Sequence, residues 1–343
     1  MKTLYLTTSK EDIEQAAKII REGGLVAFPT ETVYGLGANA FDEEAVAKVY
    51  EAKGRPSDNP MIVHIARASD IGQLTRLLNP DIVELIDNFW PGPLTLVVKK
   101  RPEIPDRTTG GLDTVAVRLP ESQAARDLIN AACCPIAAPS ANLSGSPSPT
   151  RAGDVAADMD GRIDAIIQGE DCRIGIESTV VDMTGDVPTI LRPGIITAEA
   201  IGAAIGKAVK YDEFLTEGSR HVQLDPAAGV DEDDFAPKSP GMKYRHYAPK
   251  ADMLIVEGER QKVKAEIERL KNLNRQYGNK VGVILFEERA FIEAAHDFFA
   301  QLRDLDGEGV DLILAGALSE TDGVGFAVMN RMLKSAGYNI VRV

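Results

Sequence analysis

The sequence predicts an α/β protein made of a large twisted mixed sheet with helices, followed by a small Rossmann-like parallel α/β domain at the C-terminus. Short apolar runs of strand length alternate with stretches of helical spacing through the first 210 residues. After residue 250, three apolar runs alternate with three helical stretches, which is typical of a small parallel sheet. A length of 343 residues fits about two domains, which we place at residues 1–210 and 251–343.

The first domain opens with a helix whose start and end are both marked. Ser9 followed by Asp12 resembles a capping box, apolar residues then recur at helical spacing, and Gly23 ends the pattern. A buried strand is expected at residues 25–28 and a second helix from about residue 42 to 53. Further strands are expected at residues 61–65, 94–99, 114–119, 136–138, 178–183 and 189–191, with helices at 79–89 and 122–132.

Residues 211–250 are predicted to link the two domains. The stretch 211–236 holds eight acidic residues and one basic residue, so it can bury little apolar surface. It continues into SPGMKYRHYAP at residues 239–249, which is richer in aromatic and cationic residues than a plain linker. In the second domain, strands are expected at residues 253–256, 281–286 and 311–315 and helices near 260–276, 289–304 and 324–336.

The composition excludes several classes of protein. A net charge of −14 excludes a general binder of polyanions, unless basic residues gather locally. A hydrophobic content of 44% is typical of a folded globular protein. The three cysteines, two of them adjacent, fit neither a disulfide framework nor a zinc site. The N-terminus turns polar too early for a signal peptide, and no apolar run approaches the ~18–20 residues of a membrane span, so we expect a cytoplasmic protein without direct membrane binding.

The sequence lacks the motifs of the common catalytic families. It contains no Walker A, H-E-x-x-H, G-x-S-x-G or kinase signature. The first strand of the second domain is not followed by G-x-G-x-x-G, so a dinucleotide site is not expected there. The chain has four histidines, three of them isolated, and no metal-ligand set is expected.

Two predicted strands carry polar side chains on one face. In residues 114–119, the strand period of two places Thr114, Ala116 and Arg118 opposite three apolar side chains. In residues 61–65, Ile62 and His64 share a face. A ligand-facing surface explains both strands, although an ordinary solvent face for the first and a satisfied core histidine in the second are the alternatives.

Three loop regions have the composition of a polar binding site. Lys53, Arg55 and Asn59 lie in a loop restrained by Gly and Pro, where capping of helix carbonyls is possible and a triphosphate clamp is favoured. Residues 139–150 are rich in hydroxyls and small residues, which suits a ligand close to the main chain but also an ordinary turn. Residues 176–182 and 191–194 place Ser178 on one strand and Arg192 at the end of another.

Seven segments together carry a family resemblance. They are PTETVYGLG from Pro29, KGRPSDNPMIVHI from Lys53, FWPGPLTLV from Phe89, TVAVRLP from Thr114, APSANLSG from Ala138, GIESTVVD from Gly175 and LRPG from Leu191. In this order they resemble the motif set of the YrdC-like threonylcarbamoyl-AMP synthases. SPGMKYRHYAP and the second domain resemble the long two-domain form of that family, the domain mainly by its position and size. The ordered set is far more specific than any one segment.

The resemblance implies a YrdC-like fold for the first domain and the activity of an L-threonylcarbamoyladenylate synthase. Such a nucleotidyltransferase combines L-threonine, bicarbonate and ATP, with Mg²⁺ accompanying the ATP, and releases pyrophosphate. Other enzymes, the expected partners, transfer the threonylcarbamoyl group to an adenosine beside the anticodon of certain tRNAs. Tight binding of tRNA to this chain is not expected. The reaction requires positioning and electrostatic stabilisation rather than a protein nucleophile.

The resemblance also implies roles for particular residues. The threonine-binding residues would be Thr32, His64, Arg118, Ala138 and Ser178. The ATP-binding residues would be Arg55, Asn59, Thr114, Ser140, Ser148, Arg192 and Tyr247. Lys53 and Arg55 are the catalytic candidates, because two cations there would neutralise the transferring phosphate. In the long form the HYAP segment is understood to fold over the site, so we expect His246 and Tyr247 to form a lid rather than only a docked linker.

Two other functions are weighed against this one. An RNA- or ribosome-binding module on a similar fold needs a basic face, whereas residues 1–210 contain 21 basic and 29 acidic residues. A hydrogenase-maturation protein that forms a carbamoyl adenylate would carry clusters of zinc-binding cysteines and extra domains, and this sequence has neither. Both are disfavoured.

Overall fold

The computed structural model describes residues 2–216, 246–318 and 323–343. Over these ranges the chain forms an eleven-stranded mixed sheet within residues 4–211 and a four-stranded sheet within residues 252–342, both packed with helices. The α/β class and the two unequal sheets predicted from the sequence are confirmed. Residues 217–245 of the predicted linker, with most of the acidic stretch, lie outside the described residues, whereas residues 211–216 belong to the first part of the chain as the end of a strand and a short helix.

The large sheet combines parallel and antiparallel neighbours. Its strands are β1 (Leu4–Leu6), β2 (Val26–Phe28), β3 (Gly35–Asn39), β4 (Ile62–His64), β5 (Leu94–Lys99), β6 (Thr114–Arg118), β7 (Ile136–Ala137), β8 (Ala165–Ile167), β9 (Thr179–Asp182), β10 (Thr189–Arg192) and β11 (Lys210–Tyr211). Their order across the sheet is β1-β8-β2-β3-β7-β4-β6-β5-β9-β10-β11. The parallel pair β4–β6 lies near the middle, and the first strand of the chain lies at one edge.

The α-helices that accompany this sheet are α1 (Lys10–Arg21), α2 (Glu43–Lys53), α3 (Pro80–Phe89), α4 (Asp106–Thr109), α5 (Gln123–Ala132), α6 (Ala152–Met159), α7 (Ala198–Ile205) and α8 (Glu213–Thr216). Helix α1 begins as predicted, because the side chain of Ser9 accepts a hydrogen bond from the Asp12 backbone. Helix α2 is capped by Asp42 and ends at Gly54, whose φ of 62° lies in the left-handed region that glycine tolerates. This ending turns the chain into the loop that holds Arg55.

Strands β4 and β6 alternate in the way the sequence predicts. Val115 and Val117 of β6 pack into the main core of the large sheet. Ala116 lies on the opposite face, in a small cluster with Ile62. Arg118 follows on the face of Ala116 and is buried. The polar face is therefore covered, and the alternative of an ordinary solvent face is wrong for β6.

The second sheet is parallel throughout. Its strands are β12 (Asp252–Glu257), β13 (Val281–Ile284), β14 (Leu312–Gly316) and β15 (Ile340–Arg342), in the order β13-β14-β12-β15. Its helices are α9 (Arg260–Gln276), α10 (Phe291–Glu308) and α11 (Gly323–Ser335). The final strand, β15, was not among the predicted elements. Across the described ranges, every helix is too short or too polar to pass through a lipid bilayer.

Helices α10 and α11 pack directly against the large part of the chain. Ile174 and Ile176 share a buried cluster with Phe298 of α10. Gly175 lies between them with a φ of 83°, and a Cβ atom there would lie 2.2 Å from the carbonyl oxygen of His296. Glycine is required at this position because both the backbone conformation and the close approach exclude a side chain. The two parts of the chain therefore share an apolar core.

Candidate active site

A pocket lies on the polar face of β4 and β6. The loop after β7, the end of β10 and the segment before β12 close around it. The predicted site residues on its wall are Thr32, Arg55, His64, Arg118, Ala138, Ser140, Arg192 and Tyr247. The structure therefore brings together residues from six separate sequence segments. The predicted residues Lys53, Asn59, Thr114, Ser148 and Ser178 are placed behind or beside this wall, as described below.

Arg118 is fixed by neighbours on one side of the pocket. Its Nη2 donates to Glu31 Oε1 at 2.6 Å, its Nη1 to Thr32 Oγ1 at 2.8 Å and its Nε to the Gly92 carbonyl at 3.3 Å. Both partners of the Arg118–Glu31 ion pair have side chains only 4% exposed. A guanidinium has five N–H groups, so among the described residues these bonds leave one N–H on each terminal nitrogen. Arg118 is held in place and can still make a two-point contact with a carboxylate.

His64 has an uncharged ring beside Arg118. Burial, and then the charge of Arg118, lower the pKa of His64 to about 3. Its Nδ1 is buried and has no hydrogen-bond partner among the residues that the structure describes. Since buried polar atoms normally have hydrogen-bond partners, this unpartnered nitrogen indicates a position where a ligand can bind. The sequence alternative of a fully satisfied core histidine is therefore not supported at Nδ1.

Arg55 lies on the pocket wall, and Asn59 lies behind it in the same loop. The Arg55 Nη2 donates to the Pro60 carbonyl at 3.1 Å, which turns the guanidinium back along its own loop. Its Nε and the Oδ1 of Asn59 are both buried without a partner in the described part of the chain. Burial lowers the pKa of Arg55 to about 10, so it remains a cation at neutral pH. The loop thus offers a positive charge and an unused acceptor side by side.

Lys53 supports the pocket from behind. Its ammonium donates to the carbonyl oxygens of Ser140 and Asn142, both at 2.5 Å, and its side chain is buried. Burial, followed by repulsion from Arg55, lowers the pKa of Lys53 well below its usual value. In this structure Lys53 therefore fastens the loop that carries Ser140. Its predicted contact with the transferring phosphate stays a prediction.

Ser178 and Thr114 do not line the pocket directly. The Ser178 hydroxyl pairs with Thr95 Oγ1 at 2.8 Å and accepts from Arg192 Nη2 at 3.1 Å. Arg192 Nε donates to the Ser178 carbonyl at 3.1 Å, so Ser178 orients this guanidinium. Thr114 is the first residue of β6, paired with Lys99 of β5. Its predicted contact with ATP stays a prediction.

Glu177 is a site residue that the sequence reasoning missed. Its carboxylate lies on the pocket wall and accepts from Ser148 Oγ at 2.6 Å and from Arg331 Nε at 3.1 Å. Burial by itself raises the pKa of Glu177, but the charges of Arg331 and Arg192 and the Ser148 hydrogen bond together lower it. Ser148 therefore contacts the pocket through Glu177. The available signal was the acidic residue in GIESTVVD next to Ser178.

Tyr247 closes the pocket from the segment before β12. Its φ is 64°, its side chain is buried, and its ring lies 5.1 Å from that of Phe299 in α10. The next residue, Ala248, donates its N–H to the Gly145 carbonyl at 2.7 Å. Burial, and then the Glu177 carboxylate, raise the pKa of Tyr247 to about 12, so its hydroxyl stays protonated at neutral pH. His246 lines the pocket as well.

Comparison with known families matches almost the whole chain. A family model described as "Telomere recombination" matches residues 18–194. A second, described as "Threonylcarbamoyl-AMP synthase, C-terminal domain", matches residues 196–337. Together these two models cover both sheets except the edge strands β1 and β15.

Full-length relatives and a solved structure agree with the family models. A threonylcarbamoyl-AMP synthase of Pyrococcus abyssi is 48% identical over 341 residues, 96% of each chain. One of Bacillus subtilis is 44% identical over 98% of this chain and 96% of its own. The crystal structure of the P. abyssi Sua5 protein complexed with L-threonine matches with a TM-score of 0.89 at 46% identity, over 100% of this chain and 99% of that chain.

Proposed function

The chain belongs to the threonylcarbamoyl-AMP synthase family, and from that premise we propose how its pocket joins L-threonine, bicarbonate and ATP into L-threonylcarbamoyl-AMP and releases pyrophosphate. The observation that supports this most is the convergence of three guanidinium groups on one pocket, those of the buried Arg118 and Arg192 and of the half-buried Arg55. Both substrates are anions, and a buried cluster of cations lowers the cost of holding them together.

L-threonine would occupy the end of the pocket formed by β4 and β6. Arg118 has two N–H groups suited to the carboxylate, and Glu31 and Thr32 keep the guanidinium in one orientation. The unpartnered Nδ1 of the neutral His64 ring is suited to a polar group of the amino acid. Ala138 forms the adjacent wall, and Ser178 contributes by holding Arg192.

ATP would occupy the other end of the pocket. Arg55 and Arg192 supply positive charge for the phosphates, and Asn59, Ser140 and Thr114 supply polar groups along the path of the nucleotide. Tyr247 would cover the nucleotide from the linker side, with Ser148 and Glu177 behind it. The position of Tyr247 over the pocket agrees with a site that closes over a labile product.

The proposed reaction follows from the placement of the two substrates next to each other in the pocket. The threonine amine and bicarbonate combine to a carbamate with loss of water, and a carbamate oxygen attacks the α-phosphorus of ATP while pyrophosphate leaves. Negative charge builds up around the phosphorus and on the leaving pyrophosphate, where Arg55 and Arg192 would stabilise it. The enzyme's own groups therefore bind, orient and neutralise, and no covalent intermediate with the protein is required.

We propose that Mg²⁺ enters bound to ATP. Magnesium prefers oxygen ligands and keeps several waters, so phosphate oxygens supply most of its contacts. The nearest carboxylate on the pocket wall, Glu177, already uses both oxygens for Ser148 and Arg331. The hydroxyl of Ser140 is a further oxygen ligand available on the wall. This donor set fits an ion carried by the nucleotide.

The product would serve tRNA modification in the cytoplasm. Threonylcarbamoyl-AMP is a reactive mixed anhydride, so a second enzyme must accept the threonylcarbamoyl group for the adenosine beside the anticodon. We propose such transfer enzymes as partners of this chain.

The test is a reconstitution with defined substrates. The protein is incubated with ATP, Mg²⁺, bicarbonate and L-threonine, and both pyrophosphate and the adenylate are measured. We expect pyrophosphate release to depend on threonine and bicarbonate and to equal the adenylate formed. Release of pyrophosphate without threonine would overturn the proposed function.

A further inference from the structure

Helix α11 of the second domain carries an arginine that reaches the wall of the pocket. Arg331 has no exposed surface. Its Nε donates to Glu177 Oε2 at 3.1 Å, and its Nη1 donates to the carbonyls of Pro193 and, at 3.2 Å, Ala327. Glu177 and Pro193 belong to the two segments that carry Ser178 and Arg192. A cation from the second domain is thus inserted behind the ATP end of the pocket.

Glu177 connects this cation to Tyr247 on the pocket wall and to Ser148 behind it. One carboxylate oxygen accepts the Ser148 hydroxyl at 2.6 Å, and the Tyr247 hydroxyl lies near the carboxylate. Arg192 faces the carboxylate from β10, and Lys334 faces it from α11. Glu177 is therefore the only acid on the pocket wall within the described residues, and it is surrounded by groups from both domains.

We propose that Arg331 is a positioning residue of the ATP subsite, which keeps the Glu177 carboxylate charged and directed at Ser148 and Tyr247, so that the second domain completes the nucleotide site. This inference rests on the assignment of that end of the pocket to ATP. The second domain then has a role in substrate binding through one buried ion pair.

The charges around Glu177 explain why an arginine is needed. A buried carboxylate beside a triphosphate repels it unless a cation compensates the charge. Without Arg331, Glu177 has two ways to avoid an uncompensated charge. It can take up a proton, in which case one oxygen becomes a donor and no longer accepts from both neighbours, or it can turn away from Ser148. Either change displaces the Tyr247 hydroxyl that covers the nucleotide.

The position of Arg331 argues against a purely structural role. A helix that only packs on a sheet buries apolar side chains, as α11 does with Val328 and Met332. Burying an arginine among them costs free energy that a methionine of similar length does not cost. The retained guanidinium makes three hydrogen bonds, all directed at the segments that form the pocket or at its own helix.

The experiment compares two substrate dependences in the full-length protein. Arg331→Met keeps the volume and removes the charge, and pyrophosphate release is measured against ATP at saturating threonine and against threonine at saturating ATP. We expect the KM for ATP to rise about tenfold and the KM for threonine to change less than threefold. Arg331→Lys keeps the charge and should restore part of the affinity for ATP.

Glu177→Gln supplies the decisive comparison. If Arg331 acts through Glu177, adding Arg331→Met to Glu177→Gln should change the KM for ATP less than twofold, because no carboxylate remains to be compensated. Asp304→Asn is the matched control, since it removes an ion pair between the domains at an exposed site away from the pocket. Its kinetics should equal those of the wild type.

Several results would overturn the inference. An Arg331→Met protein with the ATP dependence of the wild type would do so, as would effects of Arg331→Met and Glu177→Gln that multiply independently. An equal rise in both KM values would assign Arg331 to general packing. Should Arg331→Met not fold, the same comparisons are made with Arg331→Lys. A wild-type protein without threonine-dependent pyrophosphate release would instead overturn the proposed function, and direct ATP binding to the variants would then test Arg331.

Discussion

The two ends of the pocket are built in different ways. At the threonine end, Arg118 and His64 lie on neighbouring strands of one sheet, and β4 and β6 are paired in register there. At the ATP end, Arg192, Glu177, Tyr247 and Arg331 come from a strand end, a loop, the linker and a helix of the second domain. Strands of one sheet fix side chains by their register, whereas the second arrangement depends on how the domains pack. We therefore expect the threonine end to be rigid and the ATP end to respond to the second domain.

The largest expected effect is at the rigid end. Arg118→Met leaves the Glu31 carboxylate buried without its cation, at a side-chain exposure of 4%. Breaking one partner of a buried ion pair costs about 3–5 kcal/mol, so we expect a loss of that size in the free energy of unfolding and no measurable threonine binding. Urea denaturation and calorimetry measure the two quantities.

An exposed ion pair of the same sheet provides the control. Lys99 and Asp113 are paired at 2.6 Å with side chains 46% and 78% exposed. Lys99→Met should therefore change the free energy of unfolding by about 0.2–1 kcal/mol. Equal stability losses for Arg118→Met and Lys99→Met would contradict the idea that the threonine end is held by a buried pair.

The second effect is a dependence of stability on pH that originates at the same end. The pKa of His64 is lowered to about 3 in the folded protein, mainly by burial and next by Arg118. Below the ordinary histidine pKa of about 6.5, the unfolded chain binds a proton that the folded chain does not bind. The free energy of unfolding therefore falls as the pH falls from 6.5 towards 3, by roughly 2 kcal/mol between pH 6.5 and pH 5.

His64→Asn isolates this contribution from that of the carboxylates. Urea denaturation of both proteins at pH 7, 6 and 5 gives the difference in slope. We expect the variant to lose less stability on acidification than the wild type, by the same roughly 2 kcal/mol. Parallel pH profiles would show that His64 takes up its proton in the folded state as readily as in the unfolded chain.

The third effect concerns the ATP end. Tyr247→Phe removes the hydroxyl that lies near Glu177 and keeps the ring that packs on Phe299. Loss of one polar contact of this kind costs about 1 kcal/mol, so we expect the KM for ATP to rise about fivefold, or the adenylate to hydrolyse faster, with an unchanged KM for threonine. The exposed Tyr277, at the C-terminal end of α9, supplies the control Tyr277→Phe. Unchanged kinetics for Tyr247→Phe would reject the role of Tyr247 as a lid.

The sequence predicted the threonine end of the pocket better than the ATP end, for physical reasons. The period of two on β4 and β6 identifies which side chains share a face, and His64 and Arg118 are indeed paired across these strands. The pattern alone left a solvent face and a core histidine as alternatives, and the family resemblance favoured the ligand-facing interpretation. Strand β3 was missed because its glycines conceal the pattern. A Cβ at Gly37 would lie 2.7 Å from Ile136, so the sheet requires glycine where a strand normally shows a large apolar residue.

Contacts between residues that are far apart in the chain could not be predicted from the sequence. Glu177 and Arg331 are 154 residues apart. From the sequence, Arg331 is indistinguishable from the other cations of an amphipathic helix. Lys53 was recognised as a cation of the loop, but its direction towards the Ser140 and Asn142 carbonyls depends on how that second loop packs beneath it. Local spacing identifies residues that carry chemistry, and tertiary packing decides which of them face the ligand.

The smallest expected effect separates domain packing in general from the buried contact. Arg151 and Asp304 pair across the domain interface at 2.6 Å, with side chains 38% and 53% exposed. Asp304→Asn should lower the free energy of unfolding by less than about 1 kcal/mol, because solvent screens such pairs, and the loss should shrink further at high salt. The KM for ATP should stay within twofold of the wild type, since neither residue contacts the pocket wall. A tenfold rise in the KM for ATP would mean that ATP binding depends on the strength of domain packing as a whole. It would contradict a specific role for Arg331 behind Glu177.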